Sequence, residues 1–500
     1  MAILKTPKDC VTVRMYRQGH GDCFLLAFPT GKVRPYFVLI DCGYKPGSEN
    51  FLPNKDFINI VNNIGEATDF TIDLVIVTHE HQDHVNGFWK KNDPYFGEFE
   101  IKESWFAWTE DPSDKIANKL RRKHRDQLIG LIEARNMLGM SNNVDGKSLN
   151  RIDSLLGLEI GGEGNDDFDI GLMRLAATEP AKQVNKLAMK LIKDKSREHL
   201  GVQYLRPGEL KTLPTSAEVN VYVIGPPRDE NLLTDEDPVG DESFPLAGST
   251  GLSFTAAVNP NIKTASPFRR EYCIESKNAF GHGFFKDFYG EQNDGINNVN
   301  EAMVSNNAEW RRIDYDWLAS TENLAIKLNR GTNNTSLVLA FELPKTKKVL
   351  LFVGDAQRGN WISWGDVTWS IDQSEITTKD LLSRTVLYKV GHHGSHNATL
   401  NGSAEDTYAN LSWMAQDQNS EEFTAMITAV NEWAMTKNNP PWRHPLPSIK
   451  EALIEKTQGR VFQTDSDLEK PDDVPNTLWK KFMSRVVEHE LYFDYKIFDK

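Results

Sequence analysis

Histidines and aspartates cluster at three points in the sequence, each directly after a run of apolar residues. The first cluster is Thr78-His79-Glu80-His81-Gln82-Asp83-His84, which follows Leu74-Val75-Ile76-Val77. Neutral imidazole is a good ligand for zinc, iron and manganese ions, and a carboxylate compensates their charge. Three imidazoles and one carboxylate at this spacing predict a metal site rather than a solvated polar loop.

The second and third clusters are smaller. Gly354-Asp355 follows the apolar run 349–353, and Gly391-His392-His393-Gly394-Ser395-His396 follows the run 385–390. Alone, an Asp at a strand end is as consistent with helix capping as with metal binding. However, six of the 12 histidines lie in the first and third clusters, and this concentration favours a shared functional site.

The segments that carry these clusters have the pattern of a layered α/β fold. Apolar or alternating runs bounded by Gly, Pro or charge predict strands, and apolar residues at helical spacing predict helices. In such a fold, functional residues collect in loops at the carboxyl ends of strands. The predicted strands are 11–16, 24–28, 36–40, 74–77, 219–224, 336–341, 349–353, 385–390, 425–430 and 460–464, and predicted helices include 57–64, 448–457 and 477–490.

Changes in composition along the chain predict two insertions. One segment carries apolar residues at helical spacing among Lys, Arg and Glu, and another is acidic, then rich in Gly, Asn and Pro with little period. The expected order is a first core part (1–113), a helical insertion (114–200), core strands (201–228), an irregular insertion (229–330), a second core part (331–465) and a C-terminal tail (466–500).

Composition narrows the class of protein. The chain has 500 residues, of which 39% are hydrophobic and 26% charged, as in globular proteins. Its net charge of −14 argues against non-specific duplex binding by the whole surface, though not against a local basic groove. The sequence has no long apolar run, no export-signal pattern and only four cysteines. We therefore expect a cytoplasmic protein that does not bind a membrane.

The three clusters, in this order, resemble the metal-binding motifs of the metallo-β-lactamase superfamily of hydrolases. Flanking segments are similar to the nuclease-like domain of ComEC-type DNA-uptake proteins, over residues 11–105, 203–228 and 331–465, about half of the chain. Neither insertion has a counterpart, and DNA import is not implied. The similar segments are Gly19-His20-Gly21-Asp22-Cys23, Leu39-Ile40-Asp41-Cys42-Gly43, Val223-Ile224-Gly225-Pro226-Pro227, Asn333-Asn334-Thr335-Ser336-Leu337-Val338-Leu339, Gly354-Asp355-Ala356, Gly391-His392-His393-Gly394-Ser395, Asn431, His444-Pro445 and Gly459-Arg460-Val461.

The resemblance implies an αββα sandwich that holds two divalent metal ions, Zn²⁺ or Mn²⁺, at one edge. The implied ligands are His79 and His81 for the first ion, Asp83, His84 and His392 for the second, and Asp355 as a bridge between both. The residues expected to support these ligands by hydrogen bonds are Asp41, Asp22 and His20.

The ligand from the third cluster stays open at this point. His392 is favoured because it follows Gly391 at the end of the strand. His393 is the alternative, and His444 is a further candidate for ligation or substrate binding.

Two features depart from the superfamily pattern. No histidine between the first and second clusters stands out as a further ligand, because His124 and His199 lie in basic, helical sequence and His282 is only a weak candidate. His20 stands where the family usually has Gln, which makes it a candidate ligand or proton donor.

The implied reaction is hydrolysis by a metal-activated hydroxide. Asp83 or Asp355 is expected to accept its proton, and His393, His396 or His444 to protonate the leaving oxygen. The flanking segments favour a phosphodiester in DNA or RNA as substrate. One alternative is hydrolysis of a small ester, lactone or cyclic nucleotide, and another is a metal-containing component of a multiprotein complex, whose insertions contact a protein partner.

Direct support for nucleic acid in the sequence is modest. The basic runs 119–125 and 190–197 are candidates for phosphate contacts, although the pattern of each favours a solvated helix face. Tryptophans that are candidates for base stacking, but whose pattern favours burial in the core, are Trp105, Trp108, Trp361, Trp364 and Trp369.

Overall fold

The structure is a computed structural model that describes residues 3–89, 94–139, 146–160, 183–244, 331–371, 374–437 and 442–500, together with Ala325 and Leu328. Its strands are β1 (Cys10–Tyr16), β2 (Cys23–Phe28), β3 (Tyr36–Cys42), β4 (Thr71–Val77), β5 (Glu100–Ala107), β6 (Gly201–Leu205), β7 (Leu210–Leu213), β8 (Val219–Gly225), β9 (Val338–Glu342), β10 (Val349–Phe352), β11 (Thr368–Ile371), β12 (Ser374–Thr377), β13 (Thr385–Lys389), β14 (Thr424–Ile427), β15 (Val461–Gln463), β16 (Val486–Glu488) and β17 (Tyr492–Phe498). Its α-helices are α1 (Phe57–Thr68), α2 (Gln82–Val85), α3 (Lys115–Gly139), α4 (Gly146–Ile160), α5 (Val184–Arg197), α6 (Glu230–Leu233), α7 (Arg358–Ser363), α8 (Thr378–Ser383), α9 (Asn431–Met435), α10 (Pro447–Thr457) and α11 (Asn476–Met483).

Two large mixed sheets form the centre of the molecule. The first has eight strands in the order β16-β17-β1-β2-β3-β4-β5-β6, and the second has seven in the order β15-β14-β13-β10-β9-β8-β7. Strands β3 to β6 are parallel in the first sheet, as are β10, β13, β14 and β15 in the second. The architecture is therefore a mixed α/β sandwich, consistent with the layered α/β class that the sequence predicts.

The two sheets pack against each other through alternate side chains. Val13 and Met15 of β1 belong to the same buried apolar cluster as Val221 and Val223 of β8. Residues two apart in a strand point to the same face, so this cluster is the interior between the sheets.

Helices cover the outer faces of the sheets. Ile60 and Ile64 of α1 are buried in a cluster with Leu25 of the first sheet, and Leu453 of α10 lies in a cluster with Tyr388 of the second. Residues four apart in a helix share one face, which explains how α1 buries both isoleucines on one side.

The sandwich brings the ends of several parallel strands to one edge. β4 ends just before the first His/Asp cluster, while β10 and β13 end just before the second and third. At this edge Leu337 N donates a hydrogen bond of 3.0 Å to Thr78 O, which joins the segment before β9 to the end of β4. The three clusters therefore meet where an α/β fold normally places its functional loops.

The C-terminal residues supply two strands of the first sheet, β16 and β17. The sequence predicts a helix over 477–490, but in the structure this helix, α11, ends at Met483. Strand β17 follows and pairs with β1 along its whole length. Its register is set in part by a buried ion pair in which Arg14 Nε donates to Asp494 Oδ1 at 2.7 Å. Residues 466–500, which the sequence assigns to a tail, therefore lie partly within the core sheet.

The described parts of the two insertions differ in character. Helices α3, α4 and α5 account for most of the described residues in 114–200, in line with the predicted helical insertion. Of the predicted irregular insertion, residues 229–244 contain α6 and a short 3₁₀ turn, Gly240–Glu242. Apart from Ala325 and Leu328, residues 245–330 lie outside the described residues, and with them His282 and Cys273. No helix in the described ranges is both long and apolar enough to cross a membrane.

Candidate metal centre

Residues from distant parts of the chain form one buried group of potential metal ligands. Asp83, His84, Asp355 and His393 present ligand atoms that all lie within 4.8 Å of one another. His393 Nε2 is 2.8 Å from Asp83 Oδ2, and His84 Nε2 is 3.2 Å from Asp355 Oδ2. Two imidazoles and two carboxylates form a donor set that suits a divalent ion such as zinc or manganese.

His79 and His81 form a second pair beside this group. His79 Nε2 is 3.0 Å from His81 Nδ1 and 3.9 Å from Asp355 Oδ2. The same Asp355 oxygen is 3.8 Å from His393 Nε2. Asp355 therefore belongs to the four-residue group and is also its member nearest to His79 in the contacts described, with one oxygen between His79 and His393.

Two glycines allow the loops to approach so closely. Gly354 has a φ of 54°, in the left-handed region, and a Cβ at this position would lie 2.9 Å from Thr78 Cβ. A Cβ at Gly43 would lie 2.4 Å from the Asp83 carbonyl carbon. Both distances are far below van der Waals contact, so a larger residue at either position would displace the ligands.

Hydrogen bonds orient two of the imidazoles toward the group. His84 Nδ1 is 2.8 Å from Asp41 Oδ2, and His393 Nδ1 is 3.0 Å from the Thr428 carbonyl oxygen. An N–H that donates to such an acceptor fixes the tautomer and leaves the other ring nitrogen as a lone-pair donor. In both rings that other nitrogen is Nε2, which faces the carboxylates.

Asp41 and Asp22, which the resemblance implies as supporting residues, make hydrogen bonds next to the ligand groups. Thr78 donates to Asp41 through both its backbone N–H, at 2.8 Å, and its hydroxyl, at 2.6 Å. Asp22 accepts a hydrogen bond of 2.6 Å from Thr428 Oγ1 and forms a buried ion pair with Lys389. These contacts hold the ends of β4 and β14 against the loops that carry the ligands.

Two ligand atoms fit a bound cation. Within the described part of the chain, Asp83 Oδ1 and His84 Nε2 are buried and make no hydrogen bond of acceptable geometry. A buried polar atom without a partner costs about 1–3 kcal/mol. A divalent ion between the two would satisfy both atoms, so the donors present fit a metal.

The charges in the group also fit a cation. Burial alone would raise the pKa of Asp83, but Lys45 and His393 hold it well below its usual range. Burial likewise opposes ionisation of Asp355, yet His84 and His393 hold its pKa low. Burial disfavours a charge on His84, but the carboxylates, Asp355 foremost, raise its pKa well above the usual value.

The third cluster contributes His393, the alternative to the favoured His392, to the group of potential ligands. Both residues have left-handed backbone conformations, with φ of 40° at His392 and 54° at His393. This double turn directs the second ring to Asp83, whereas His392 Nε2 lies 3.2 Å from Asn333 Nδ2. The backbone N–H of His392 donates to Asp355 Oδ1 at 3.1 Å, so His392 contacts the group through its main chain.

His20 and His444 form a pair next to His393. Val430 N donates to His20 Nδ1 at 3.1 Å, so the remaining N–H of His20 is available to donate to His444 Nδ1 at 3.3 Å. The His20 ring lies 4.2 Å from the His393 ring. Burial holds the pKa of both His20 and His444 well below the usual value, so both rings are neutral at pH 7. The sequence makes His444 a candidate for protonating the leaving oxygen. As a neutral ring, His444 has only an uncharged N–H to donate.

The other candidate histidines lie apart from the group. His396 is largely exposed, and its Nε2 is 2.9 Å from Asp237 Oδ1. His199 is exposed at the start of β6, with Nε2 3.4 Å from Glu100 Oε1. Neither contacts the described ligand groups.

Two residues of the helical insertion adjoin the site and were not predicted there. Glu159 Oε1 is 2.9 Å from His81 Nε2, and Glu159 Oε2 is 2.9 Å from His124 Nε2. Burial would raise the pKa of Glu159, but His81 and His124 lower it to about 2. The basic sequence around His124 predicted a solvated ring, and nothing local distinguishes Glu159 from other acidic residues in helices.

Two buried lysines also adjoin the carboxylates. Lys389 Nζ donates to Gly354 O at 2.8 Å and lies 3.6 Å from Asp355 Oδ1. Lys45 Nζ lies 3.3 Å from Asp83 Oδ2 and 4.7 Å from the centre of the Trp442 ring. A lysine at the end of the apolar strand β13 is unusual, so the sequence could have singled out Lys389. Nothing in the local sequence distinguishes Lys45.

Several residues considered for nucleic-acid binding are paired with acidic residues or buried in the structure. Lys119 Nζ pairs with Glu230 at 2.8 Å, and Lys193 Nζ pairs with Glu110 at 3.1 Å. The five tryptophans considered for base stacking are all buried: Trp105, Trp108, Trp361, Trp364 and Trp369. These side chains give no support to a nucleic-acid surface.

Comparison with known proteins assigns no family to this geometry. Neither protein-family models nor curated proteins match the chain. The case for a function therefore depends on the motifs and on the geometry of the site.

Proposed function

We propose that this protein is a metal-dependent hydrolase of the metallo-β-lactamase superfamily, similar to the nuclease-like domain of ComEC-type proteins, and that it hydrolyses a phosphodiester. The observation that carries the proposal is the convergence of Asp83, His84, Asp355 and His393 in one buried group beside the His79–His81 pair. The arrangement lies at one edge of an α/β sandwich and matches the order of motifs in the resemblance.

The chemistry divides between bound ions and the chain's own groups. Two divalent ions, when bound, lower the pKa of water and stabilise negative charge during in-line displacement. Asp41 and Thr428 keep the rings of His84 and His393 in place through their Nδ1 atoms. Asp83 or Asp355 is the expected acceptor of a proton, and the lowered pKa of each carboxyl makes it a weak base.

Positive charge beside the carboxylates favours an anionic substrate. Lys45 is buried, and its ammonium lies 3.3 Å from Asp83 Oδ2. An ammonium is a common partner for phosphate oxygens. The presence of Lys45 supports a phosphodiester over a neutral ester or lactone.

A small phosphodiester, such as a cyclic nucleotide, is a second candidate substrate. The side chains of the ligand groups are at most 3% exposed, which leaves little room for a duplex at the ions. Lys119 and Lys193, one from each basic run, form ion pairs with Glu230 and Glu110. Burial of the site therefore favours a short or extended single strand, or a small molecule, over a duplex.

Cleavage assays with the full-length chain test the proposal. Samples loaded with Zn²⁺ or Mn²⁺ would be offered plasmid, single-stranded DNA, RNA, cyclic nucleotides, a chromogenic phosphodiester and a lactone. We expect phosphodiester cleavage that is lost in His84→Ala and retained in His199→Ala, whose side chain is exposed and outside the ligand groups. Cleavage of small diesters alone would select the second candidate. Turnover of the lactone alone, or full activity in a folded His84→Ala variant, would contradict the proposal.

A further inference from the structure

The helical insertion contributes a buried carboxylate to the candidate metal centre. Glu159 lies in the last turn of α4 and is 3% exposed. A carboxylate removed from water requires partners for its oxygens. Each oxygen of Glu159 has a histidine partner, with Oε1 2.9 Å from His81 Nε2 and Oε2 2.9 Å from His124 Nε2.

The contact with His81 determines which of its nitrogens can bind a metal. A neutral imidazole has one N–H and one lone pair. When Nε2–H donates to Glu159, the lone pair is on Nδ1, which lies 3.0 Å from His79 Nε2. Metal-binding histidines commonly donate their other N–H to a carboxylate, which orients the ring and makes it a stronger ligand.

Glu159 is itself held in place from two sides. Thr332 Oγ1 lies 3.4 Å from Glu159 Oε2 and 3.2 Å from His124 Nε2. Asn185 of α5 donates to the carbonyls of Leu158 and Glu159, at 2.9 and 3.3 Å. The last carbonyls of a helix have no partner within the helix, so these bonds fix the end of α4.

We propose that Glu159 is a positioning residue that fixes His81 with Nδ1 toward the first metal ion, so that the helical insertion completes the metal centre. The inference rests on the proposed function and goes beyond it, because the insertion has no counterpart in the resemblance. The rings of His84 and His393 have their own partners in Asp41 and Thr428. Glu159 therefore affects one ion and not the other.

Metal binding by the full-length chain tests this role. The wild type, Glu159→Ala and Glu159→Gln would be compared by elemental analysis after dialysis and by competition for Zn²⁺ with a chromophoric chelator. We expect two ions in the wild type. In both variants one ion should bind as before and the other about 10- to 100-fold more weakly. The Co²⁺ absorption spectrum should change only for the weaker site.

Asp153→Asn is the matched control. Asp153 is a buried carboxylate on the same helix, and it accepts a hydrogen bond of 2.6 Å from Arg135 Nε of α3. The control tests whether loss of any buried charge from α4 disturbs metal binding.

His124→Gln is a second variant. It removes a partner of Glu159 while leaving His81 and Glu159 in contact, so it should weaken binding of the same ion by a smaller factor.

The outcomes separate the two proposals. Unchanged affinities and an unchanged Co²⁺ spectrum in both Glu159 variants would overturn the positioning role and leave the proposed function intact. Loss of both ions from these variants, or an equal loss of metal affinity in Asp153→Asn, would also overturn the positioning role. Either result would mean that the substitution disturbs the fold and not His81 alone. A wild-type chain that takes up no divalent ion would overturn the proposed function together with this inference.

Discussion

Asp83 and His393 are 310 positions apart in the chain, yet His393 Nε2 lies 2.8 Å from Asp83 Oδ2. The contact joins the segment after β4 in the first sheet to the turn after β13 in the second. Unfolding separates the two sheets and with them the ligands. Any metal held by this pair therefore binds the native state in preference to the unfolded chain, and its binding is linked to stability.

Removal of metal should lower the thermal stability of the protein. At a free Zn²⁺ concentration one thousand times its dissociation constant, binding to the native state alone stabilises it by about 4 kcal/mol. Thermal unfolding would be followed after treatment with a chelator and after Zn²⁺ is restored. The response should disappear in His84→Ala and persist in His199→Ala. A wild type whose unfolding temperature is indifferent to Zn²⁺ and Mn²⁺ would argue against a metal at this edge.

Replacement of His393 and His392 should have unequal effects. His393→Ala removes a ring that faces Asp83 and should cost one ion and the hydrolytic activity. His392→Ala should keep both ions, because His392 Nε2 is directed to Asn333. Metal content and kcat/KM of the two variants measure the difference. The opposite pattern would restore the assignment that the sequence favoured.

The sequence predicted the position of the site because its signals are local. His79, Asp355 and His393 each lie within a few residues of a strand end, and both a strand and a cluster of ligands can be recognised in a short window. A short window of sequence could not decide between His392 and His393. The choice depends on the left-handed backbone conformations of both histidines, which non-glycine residues adopt only rarely.

Other features depend on tertiary contacts that a window of sequence does not contain. Glu159 is one acidic residue in an amphipathic helix until α4 lies beside α2 and brings it to His81. Strand β17 alternates apolar residues with charges, and Asp494 is tolerated in the core only because Arg14 of β1 pairs with it. In both cases the partner lies far away in the sequence.

Loss of the Lys45 charge should affect substrate and metal in opposite directions. Its ammonium attracts an anionic substrate but also competes with a cation for Asp83, 3.3 Å away. We expect Lys45→Met to lower kcat/KM for a phosphodiester by about 10- to 100-fold, the scale of one charge-assisted hydrogen bond, and to leave metal affinity equal or higher. Lys437→Met is the matched control, since Lys437 lies 4.6 Å from the Trp433 ring. Weaker metal binding in Lys45→Met would contradict this account of the charge.

Asp114 should stabilise the start of the helical insertion in a pH-dependent way. It caps α3 by accepting from Ile116 N and Ala117 N, and it pairs with Arg228 at 2.6 Å. Burial would raise the pKa of Asp114, but the hydrogen bond from Arg228 and the cap lower it from 3.8 to about 2. A lowered folded-state pKa means that the stabilisation is complete above 3.8 and is lost as the pH falls toward 2.

Urea unfolding measures the contribution of Asp114. We expect Asp114→Ala to lower the free energy of unfolding at pH 7 by about 1–2 kcal/mol, the upper part of the range for a lost cap. The difference from the wild type should shrink at pH 3. A penalty that is the same at both pH values would show that the carboxylate charge has no part in it.

Trp361 and Trp364 should contribute to stability rather than to substrate binding. Their rings stack with centres 4.1 Å apart, and both are fully buried, so neither presents a face to a base. We expect Trp364→Ala to cost about 3–5 kcal/mol of unfolding free energy, as for other large-to-small core substitutions.

Trp442 gives the contrast, because it is only half-buried and stacks on His444 with ring centres 5.7 Å apart. Trp442→Ala should weaken substrate binding with little change in stability. Urea unfolding measures the stability of each variant, and fluorescence anisotropy measures its binding of single-stranded DNA. A Trp364→Ala protein that is stable but binds DNA poorly would contradict this prediction. The substrate surface would then lie on the outer face of the second sheet.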